Sequence, residues 1–364
     1  MLRVPVISKN NLPLMPTKSS RARRWIEEGK AVGALDDLGQ FYVQLIESAS
    51  DNQTQPIAVG IDPGKLFTGI GVQSSRFTLW TAHLELPFKR VKERMDNRRL
   101  MRRGRRGRRI NRQLPFNCRA HRQKRFSNRK RSKLAPSIKA NRQLEIRVVS
   151  ELCKIYPITD IYFEYIKADV DLTSGRKAAK SGSGFSAVMV GQKWAIEQLS
   201  KFARVHTRFG WQTSNLRKHL GLEKSKNKAE KSPKSHANDG IALACFRFLD
   251  YLPFHTANSH GHEWQGKVTL TSAIFVVVKR PPISRRQLHL MLPYQGGIRR
   301  KYGGTTTEFS LRKGDLVNSS KGIGYVSGQT KKQISVSDAN WKRLGQIASS
   351  KVTLIRRSTG LIVS

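Results

Sequence analysis

The sequence predicts an α/β core broken into three stretches, with a small unit before it and a β-rich unit after it. Three observations predict this. Acids sit at Gly60-Ile61-Asp62-Pro63-Gly64 and Ile161-Tyr162-Phe163-Glu164-Tyr165, each on a strand-sized apolar run, and at Ser235-His236-Ala237-Asn238-Asp239-Gly240, where a helical pattern starts. A dense arginine block separates the first two. After Pro253 the pattern becomes short strands with glycine turns.

Length and charge bound the rest. The 364 residues exceed a usual single domain, so two or three units are expected. Hydrophobic residues make up 38%, enough for a core. Lys and Arg number 68 against 25 acids, a net charge of +43. Such a field favours a polyanionic partner. Nucleic acid fits, since each neutralised phosphate releases counterions. The basic residues do not border a long apolar face, and the best apolar run, 273–278, is strand-sized. No membrane partner is expected. Met1-Leu2-Arg3-Val4-Pro5 lacks the apolar stretch of a signal peptide. Cys118, Cys153 and Cys245 are scattered without a CxxC pair, which fits a reducing, cytoplasmic setting and argues against structural zinc.

The elements follow in order. Residues 1–53 form an opening unit, in which Pro13-Leu14-Met15-Pro16 is extended. A helix starts at Ser19 or Ser20, turns Ala22, Trp25 and Ile26 inward and stops at Gly29; residues 41–46 read as a strand. Over 54–88, residues 57–61, 67–72 and 77–83 read as three strands, with Ser74-Ser75 at a hairpin. Residues 89–133 hold 21 Lys/Arg and 2 acids, a local net of +19. Helix is expected over 88–113, weakened at Gly104 and Gly107 and ended by Pro115. A helix polar on every side needs a partner to wrap it; a solvated basic linker is the alternative. Over 136–252, a helix at 138–152, a strand at 158–166, a Ser/Gly/Lys-rich loop at 173–184, a helix at 189–203, a charged connector at 223–234 and a helix at 236–249 are expected. Residues 253–364 read as a small β-barrel or sandwich, with a first strand at 268–278.

The acids suggest chemistry. Two-metal phosphodiester cleavage holds its ions ~4 Å apart and needs several carboxylates converging in space. Magnesium prefers oxygen ligands. Asp62 ends an apolar strand, although Asp-Pro-Gly is also a common turn. Glu164 shares a strand face with Asp160 and Tyr162, which could equally be a solvent face. His236 and Asp239 are three apart and can share a helix face, although capping by Ser235 or Asn238 explains them too. Their order on strand, strand and helix is the layout of an RNase H-like nuclease core. His255, His260, His262 and Glu263 cluster without a cysteine partner and are not expected to bind zinc. Trp194 and Trp211 are expected in the core.

On these residues the chain resembles a RuvC-type nuclease split in three and, more closely, the IsrB family, short relatives of IscB. Pro13-Leu14-Met15-Pro16 resembles the PLMP motif of that family's N-terminal domain, and residues 89–135 resemble its arginine-rich bridge helix and extension. Asp62, Glu164 and the stretch from His236 to Asp239 match its three RuvC motifs. Gly296-Gly297-Ile298-Arg299-Arg300, Tyr302-Gly303-Gly304 and Lys313-Gly314-Asp315-Leu316-Val317 resemble its C-terminal domain. Glu164 and His236 are 72 positions apart, with only His206 and His219 between them, so an HNH nuclease is not expected there.

The resemblance implies an RNA-guided nickase. Asp62, Glu164 and Asp239 would hold two Mg2+ ions, with Mn2+ able to substitute, and His236 would act on the attacking water. The partners implied are a long guide RNA (an omega RNA) and double-stranded DNA with one strand displaced, the protein being a monomer in a ribonucleoprotein of the prokaryotic cytoplasm. Arg94, Arg98, Arg99, Arg102, Arg103, Arg105, Arg106, Arg108, Arg109 and Arg112 would hold RNA and heteroduplex through phosphates. Arg285, Arg286, Arg299, Arg300 and Lys301 are candidates for contacting a short flanking DNA motif. A guide-independent junction-resolvase type of nuclease and a catalytically silent RNA-guided DNA binder remain as alternatives.

Overall fold

The structure is a computed structural model and describes residues 2–48, 53–108, 110–118, 134–166, 187–225, 232–256, 259–283, 307, 309–330 and 332–364. The chain divides into two compact units, Met1–Ala34 with Phe41–Phe275, and Leu35–Gln40 with Val276–Ser364.

The first unit opens with β1 (Arg3–Ile7), β2 (Pro13–Lys18), α1 (Ser19–Glu27), β3 (Ala31–Leu35) and β4 (Phe41–Leu45). The strands lie in the order β2-β1-β4-β3. Val6, Leu14, Ala22, Ala31 and Val43 form their core. The segment starting at Pro13 is an edge strand, where proline's missing donor costs no ladder bond. Gly29 has φ +69° after α1, a conformation open to glycine. Ala22 is buried as expected, but Ile26 is 38% exposed, because a nine-residue helix buries only a narrow stripe.

The central sheet holds β5 (Ile57–Pro63), β6 (Phe67–Ser74), β7 (Thr78–Glu85), β8 (Ile158–Glu164) and β9 (Arg204–Arg208), side by side in the order β7-β6-β5-β8-β9. The first three are antiparallel neighbours. β8 lies parallel to β5, and β9 parallel to β8. This arrangement is an RNase H-like α/β core. Burial on both faces explains the apolar runs: every residue of β6 beyond Phe67 and every residue of β7 before Glu85 is buried. β8 is likewise buried on both faces, so the solvent-face alternative for Glu164 does not hold.

Helices α2 (Phe88–Arg108) and α3 (Pro136–Ile155) lie between β7 and β8, α4 (Ala187–Leu199) precedes β9, and α5 (Gly210–His219) and α6 (Pro233–Cys245) follow it. Helix α2 ends at Arg108 rather than at residue 113, one residue after the weak helix former Gly107. Helix α6 starts at Pro233 with Ser232 as N-cap, so neither Ser235 nor Asn238 is the cap. Proline suits the first helical turn because its absent N–H has no partner to lose there. The final helix, expected to run to residue 249, stops at Cys245, and after a turn a hairpin of β10 (Leu249–His255) and β11 (His260–Gly266) follows. Trp211 is 65% exposed rather than in the core, and Trp194 is half-buried.

In the second unit β12 (Ile274–Lys279) pairs with β18 (Ile362–Val363). Strands β13 (Leu316–Ser319), β14 (Gly324–Gln329), β15 (Gln333–Ser337), β16 (Arg343–Ala348) and β17 (Val352–Arg356) form an antiparallel sheet in the order β16-β15-β14-β13-β17. Leu311, Val317, Val326, Ile334, Val336 and Ile347 form its core. Buried Asp315 accepts hydrogen bonds from Arg357 Nη1 (2.9 Å), Ser358 N (2.8 Å) and Arg312 N (2.8 Å), so it closes its own turn and ties it to the segment after β17. The expected strand at 268–278 begins only at Ile274; before it, Thr269 N and Thr271 N donate to Ser75 O and Thr78 Oγ1. No helix among the described residues is long and apolar enough to cross a membrane.

Candidate active site

Parallel pairing of β5 and β8 sets the site. Their register runs through Gly60↔Tyr162 and Ile61↔Phe163, so Asp62 and Glu164 come next at the carboxyl ends of adjacent strands. Alternation puts Gly60, Asp62, Tyr162 and Glu164 on one face. Helix α6 covers that face at very close range. A Cβ on Gly60 would collide with Gly240 O, and one on Gly69 with His236 O. A Cβ on Gly240 would in turn come within 2.7 Å of Gly71 N. The glycines of the first acidic motif and of β6 thus form a trough for the helix that carries His236 and Asp239.

The acids feel one another. Burial pushes the Asp62 carboxyl up to about 8, and the Glu164 and Asp239 charges add to that rise. Burial also raises Glu164, with Asp239 pushing the same way and a hydrogen bond from Thr213 opposing. Gly210, at the start of α5, leaves room here: a Cβ would stand 3.1 Å from Glu164 Oε1. Asp239 is buried between two cations, with Arg217 Nη1 2.5 Å from Oδ1 and Lys224 Nζ 2.6 Å from Oδ2. The His236 ring lies tilted against His83 at 5.0 Å and Phe67 at 5.5 Å between ring centroids. Burial lowers its pKa, with the Asp239 charge opposing. Its Nδ1 is buried without a hydrogen-bond partner.

A second buried acid stands behind the site. Glu145 on α3 accepts hydrogen bonds from Arg142 Nη1 (2.6 and 2.8 Å) and from Thr68 Oγ1 (2.6 Å). Arg142 Nη2 also donates to Gly64 O (3.2 Å), and Asn141 Nδ2 to Lys65 O (2.9 Å). Helix α3 therefore grips the turn immediately after Asp62. Glu145 also adds to the rise of the Asp62 pKa. Removing one partner of a buried pair leaves a lone charge, so Arg142→Ala is expected to cost about 3–5 kcal/mol in urea denaturation. The Arg142→Met/Glu145→Met double variant should recover much of it.

The raised Asp62 pKa has a sign that can be tested. The folded state binds the Asp62 proton more tightly than an unfolded chain, whose carboxyl has its ordinary value of 3.8. That stabilisation is present at low pH and is lost as pH rises through about 8. In EDTA, Asp62→Asn is therefore expected to gain melting temperature over wild type increasingly from pH 5 to pH 8. An advantage that does not grow with pH would contradict the shift.

The donor set is all oxygen and crowded with like charge, which suits Mg2+. Among the described residues, however, no three His, Cys, Asp or Glu side chains stand ready around one ion. Lys224 and Arg217 hold the Asp239 oxygens instead.

The structure thus brings Asp62, Glu164, His236 and Asp239 to one neighbourhood. Arg94, Arg98, Arg99, Arg102 and Arg103 are exposed along α2, and Arg112 is exposed beyond it. Arg105, Arg106 and Arg108 lie on α2 by backbone alone, while Arg109, Arg285, Arg286, Arg299, Arg300 and Lys301 lie outside the described residues, as does the loop at 173–184. Arg142, Glu145, Arg217, Lys224 and His83 had no motif to mark them; the Arg142/Glu145 spacing on one helix face was their one legible signal. His255, His260, His262 and Glu263 lie on the β10–β11 hairpin, where His255 and His260 face each other as a cross-strand pair.

The model of a family described as RRXRR protein matches residues 4–184. Arg102-Arg103-Gly104-Arg105-Arg106 spells that pattern. No curated protein matches the chain. Among solved structures, it is similar to Thermus thermophilus RuvC in complex with a Holliday junction substrate (14% identity, covering 52% of this chain and 90% of that one, TM-score 0.26). It is also similar to a Thermus thermophilus RuvC structure (13% identity, 52% and 90% covered, TM-score 0.25). The similarity to the RRXRR family spans Asp62, Glu164 and α2, and stops before α6.

Proposed function

We propose that the chain is an RNA-guided DNA endonuclease that nicks the displaced, non-target strand, as its resemblance to the IsrB family implies. The observation that carries the reading is that Asp62 and Glu164 at adjacent strand ends and Asp239 on α6 lie close enough for each charge to act on the others. Asp62, Glu164 and Asp239 would hold Mg2+ ions once Lys224 leaves Asp239 Oδ2. Bound there, Mg2+ supplies an activated water and charge stabilisation at the leaving oxygen.

The chain's own residues do the rest. His236, whose pKa burial lowers, accepts the proton of the attacking water as its oxygen bonds to phosphorus and the bond from phosphorus to the leaving oxygen breaks, that oxygen taking a proton from solvent. Nε2 suits that role, since Nδ1 is buried. Arg217 and Lys224 offset the charge of the acids and of the incoming phosphate. The exposed arginines of α2 grip phosphates of guide RNA and heteroduplex without reading sequence, and base pairing reads the target. A single carboxylate centre cuts one strand, which makes the product a nick. The proposed organisation is a PLMP domain at 1–53, RuvC parts at 54–88 and 136–252, a bridge at 89–135 and a flanking-motif domain at 253–364.

Sequencing the RNA that co-purifies with protein expressed alongside its native flanking DNA tests the reading. One discrete species with a constant scaffold and a replaceable segment is expected. A random sample of host RNA would refute guided recognition and favour the resolvase-type alternative.

A further inference from the structure

The first unit holds a cavity of about 690 Å3, one of whose lining residues, Lys224, is also the partner of Asp239. The cavity borders the first turns of α6 and the strap at 223–225. Two hydrogen bonds hold that strap to the helix: Ser225 N donates to Ser235 Oγ (3.1 Å), and Asn238 Nδ2 to Glu223 O (2.8 Å). Its walls carry two ammonium groups, Lys224 and Lys234, the hydroxyls of Ser225 and Ser232, and an apolar side from Ile241 and Phe275. Glu223 lies on the wall as well. The first turn of α6 carries no acid, and its N-cap makes no side-chain capping bond. Lys224 belongs to cavity and carboxylates alike, with Nζ 2.6 Å from Asp239 Oδ2.

Lysines and helix N–H groups are recognition chemistry for phosphate. An exposed phenyl ring beside them is recognition chemistry for a base. The volume is that of a small-ligand pocket and too small for a duplex. We propose that this cavity holds one unstacked nucleotide of the strand being cut, its phosphate on Lys224 and Lys234 and its base against Phe275. The proposal rests on reading Asp62, Glu164 and Asp239 as a phosphodiester-cleaving centre. It deepens that reading: a base still paired in a duplex cannot enter, so the displaced strand would be held by one extruded nucleotide and not by its backbone alone.

The test needs no cleavage. Binding of fluorescein-labelled pTpT to the full-length protein is measured by anisotropy in EDTA. Wild type, Lys234→Glu, Phe275→Ala and Lys9→Glu, a charge-matched change on the β1–β2 turn, are compared after melting curves show them folded. Lys234→Glu is expected to weaken binding about 10-fold and Phe275→Ala about 5-fold, the lower end for loss of one stacked base. Lys9→Glu should change it less than about 2-fold. Thymidine 5′-monophosphate should displace the probe better than inorganic phosphate or thymidine. Equal losses for Lys234→Glu and Lys9→Glu would reduce the site to the general basic field and overturn the proposal. So would an unchanged Phe275→Ala, or phosphate competing as well as the nucleotide. If these binding results hold but no Mg2+-dependent cleavage is found, the cleavage reading fails and the cavity remains a nucleotide site. Cleavage without these binding differences refutes the cavity alone.

Discussion

Asp62→Ala is expected to lower Mg2+-dependent DNA cleavage by about 10³-fold or more, with RNA binding unchanged. Asp62 sits where β5, β8 and α6 meet, and four other charges act on it: Glu164, Asp239 and Glu145 raise its pKa, and Lys224 lowers it. Removing one preorganised charge-stabilising group commonly costs about 10²–10³ in rate, and losing a carboxylate at the metal site should exceed that. The same change relieves repulsion in the apo protein, so the variant should melt no lower than wild type in EDTA. Activity lost together with a collapse in melting temperature or in RNA binding would instead make Asp62 structural. Electrophoresis of a supercoiled plasmid, with melting curves and RNA binding on the same preparations, separates these outcomes.

Gly69→Val is expected to unfold the first unit or to force α6 off the sheet. A Cβ at Gly69 would enter the space of His236 O, which is backbone that cannot rotate away. Asp62 and Gly69 are direct partners in the β5–β6 register, so any shift of α6 also moves His236 and Asp239 away from Asp62. Overpacking a well-filled core typically costs about 1–3 kcal/mol. A clash with fixed helix backbone should exceed that and reach the range above about 4 kcal/mol that marks an exceptional site. Gly104→Ala is the control. Nothing lies within 4 Å of a Cβ there, and helix propensity should make it neutral or slightly stabilising. Similar melting temperatures for Gly69→Val and wild type would contradict the close seating of α6.

The core was legible where chemistry and periodicity agreed. Asp62 stood out as the acid on an otherwise apolar strand and Glu164 as the acid closing the run Ile161-Tyr162-Phe163, and parallel pairing then brought the two together. Asp239 was legible as an acid on a helix, but its engagement with Arg217 and Lys224 was not, since those partners lie 22 and 15 positions upstream in polar stretches with no period of their own. The grip of Asn141 and Arg142 on the turn after Asp62 was equally hidden, because it joins residues 76 and 78 positions apart. The hairpin at β10 and β11 escaped for a different reason. His260-Gly261-His262-Glu263-Trp264-Gln265-Gly266 has almost no apolar alternation, and its strand is held by pairing with β10, by stacking of Tyr251 on His262 and by a tilted contact of Tyr251 with Trp264. Local propensity also misplaced the start of α6, where Ser232-Pro233 was a readable cap-and-proline signal three residues before His236. The glycines of β5 and β6 read as turn or weak-strand residues in one dimension. Their role as a seat for a helix exists only once α6 lies across them.

We propose guided cleavage at one carboxylate centre, and strand-resolved cleavage by the protein purified with its co-expressed RNA tests this directly. The substrate is a DNA duplex labelled differently on its two strands, with a target matching the RNA's replaceable segment, in Mg2+. A nick confined to the displaced strand is expected, dependent on the match and absent in Asp62→Ala. Cleavage of both strands, or cleavage of branched DNA regardless of the RNA, would contradict it.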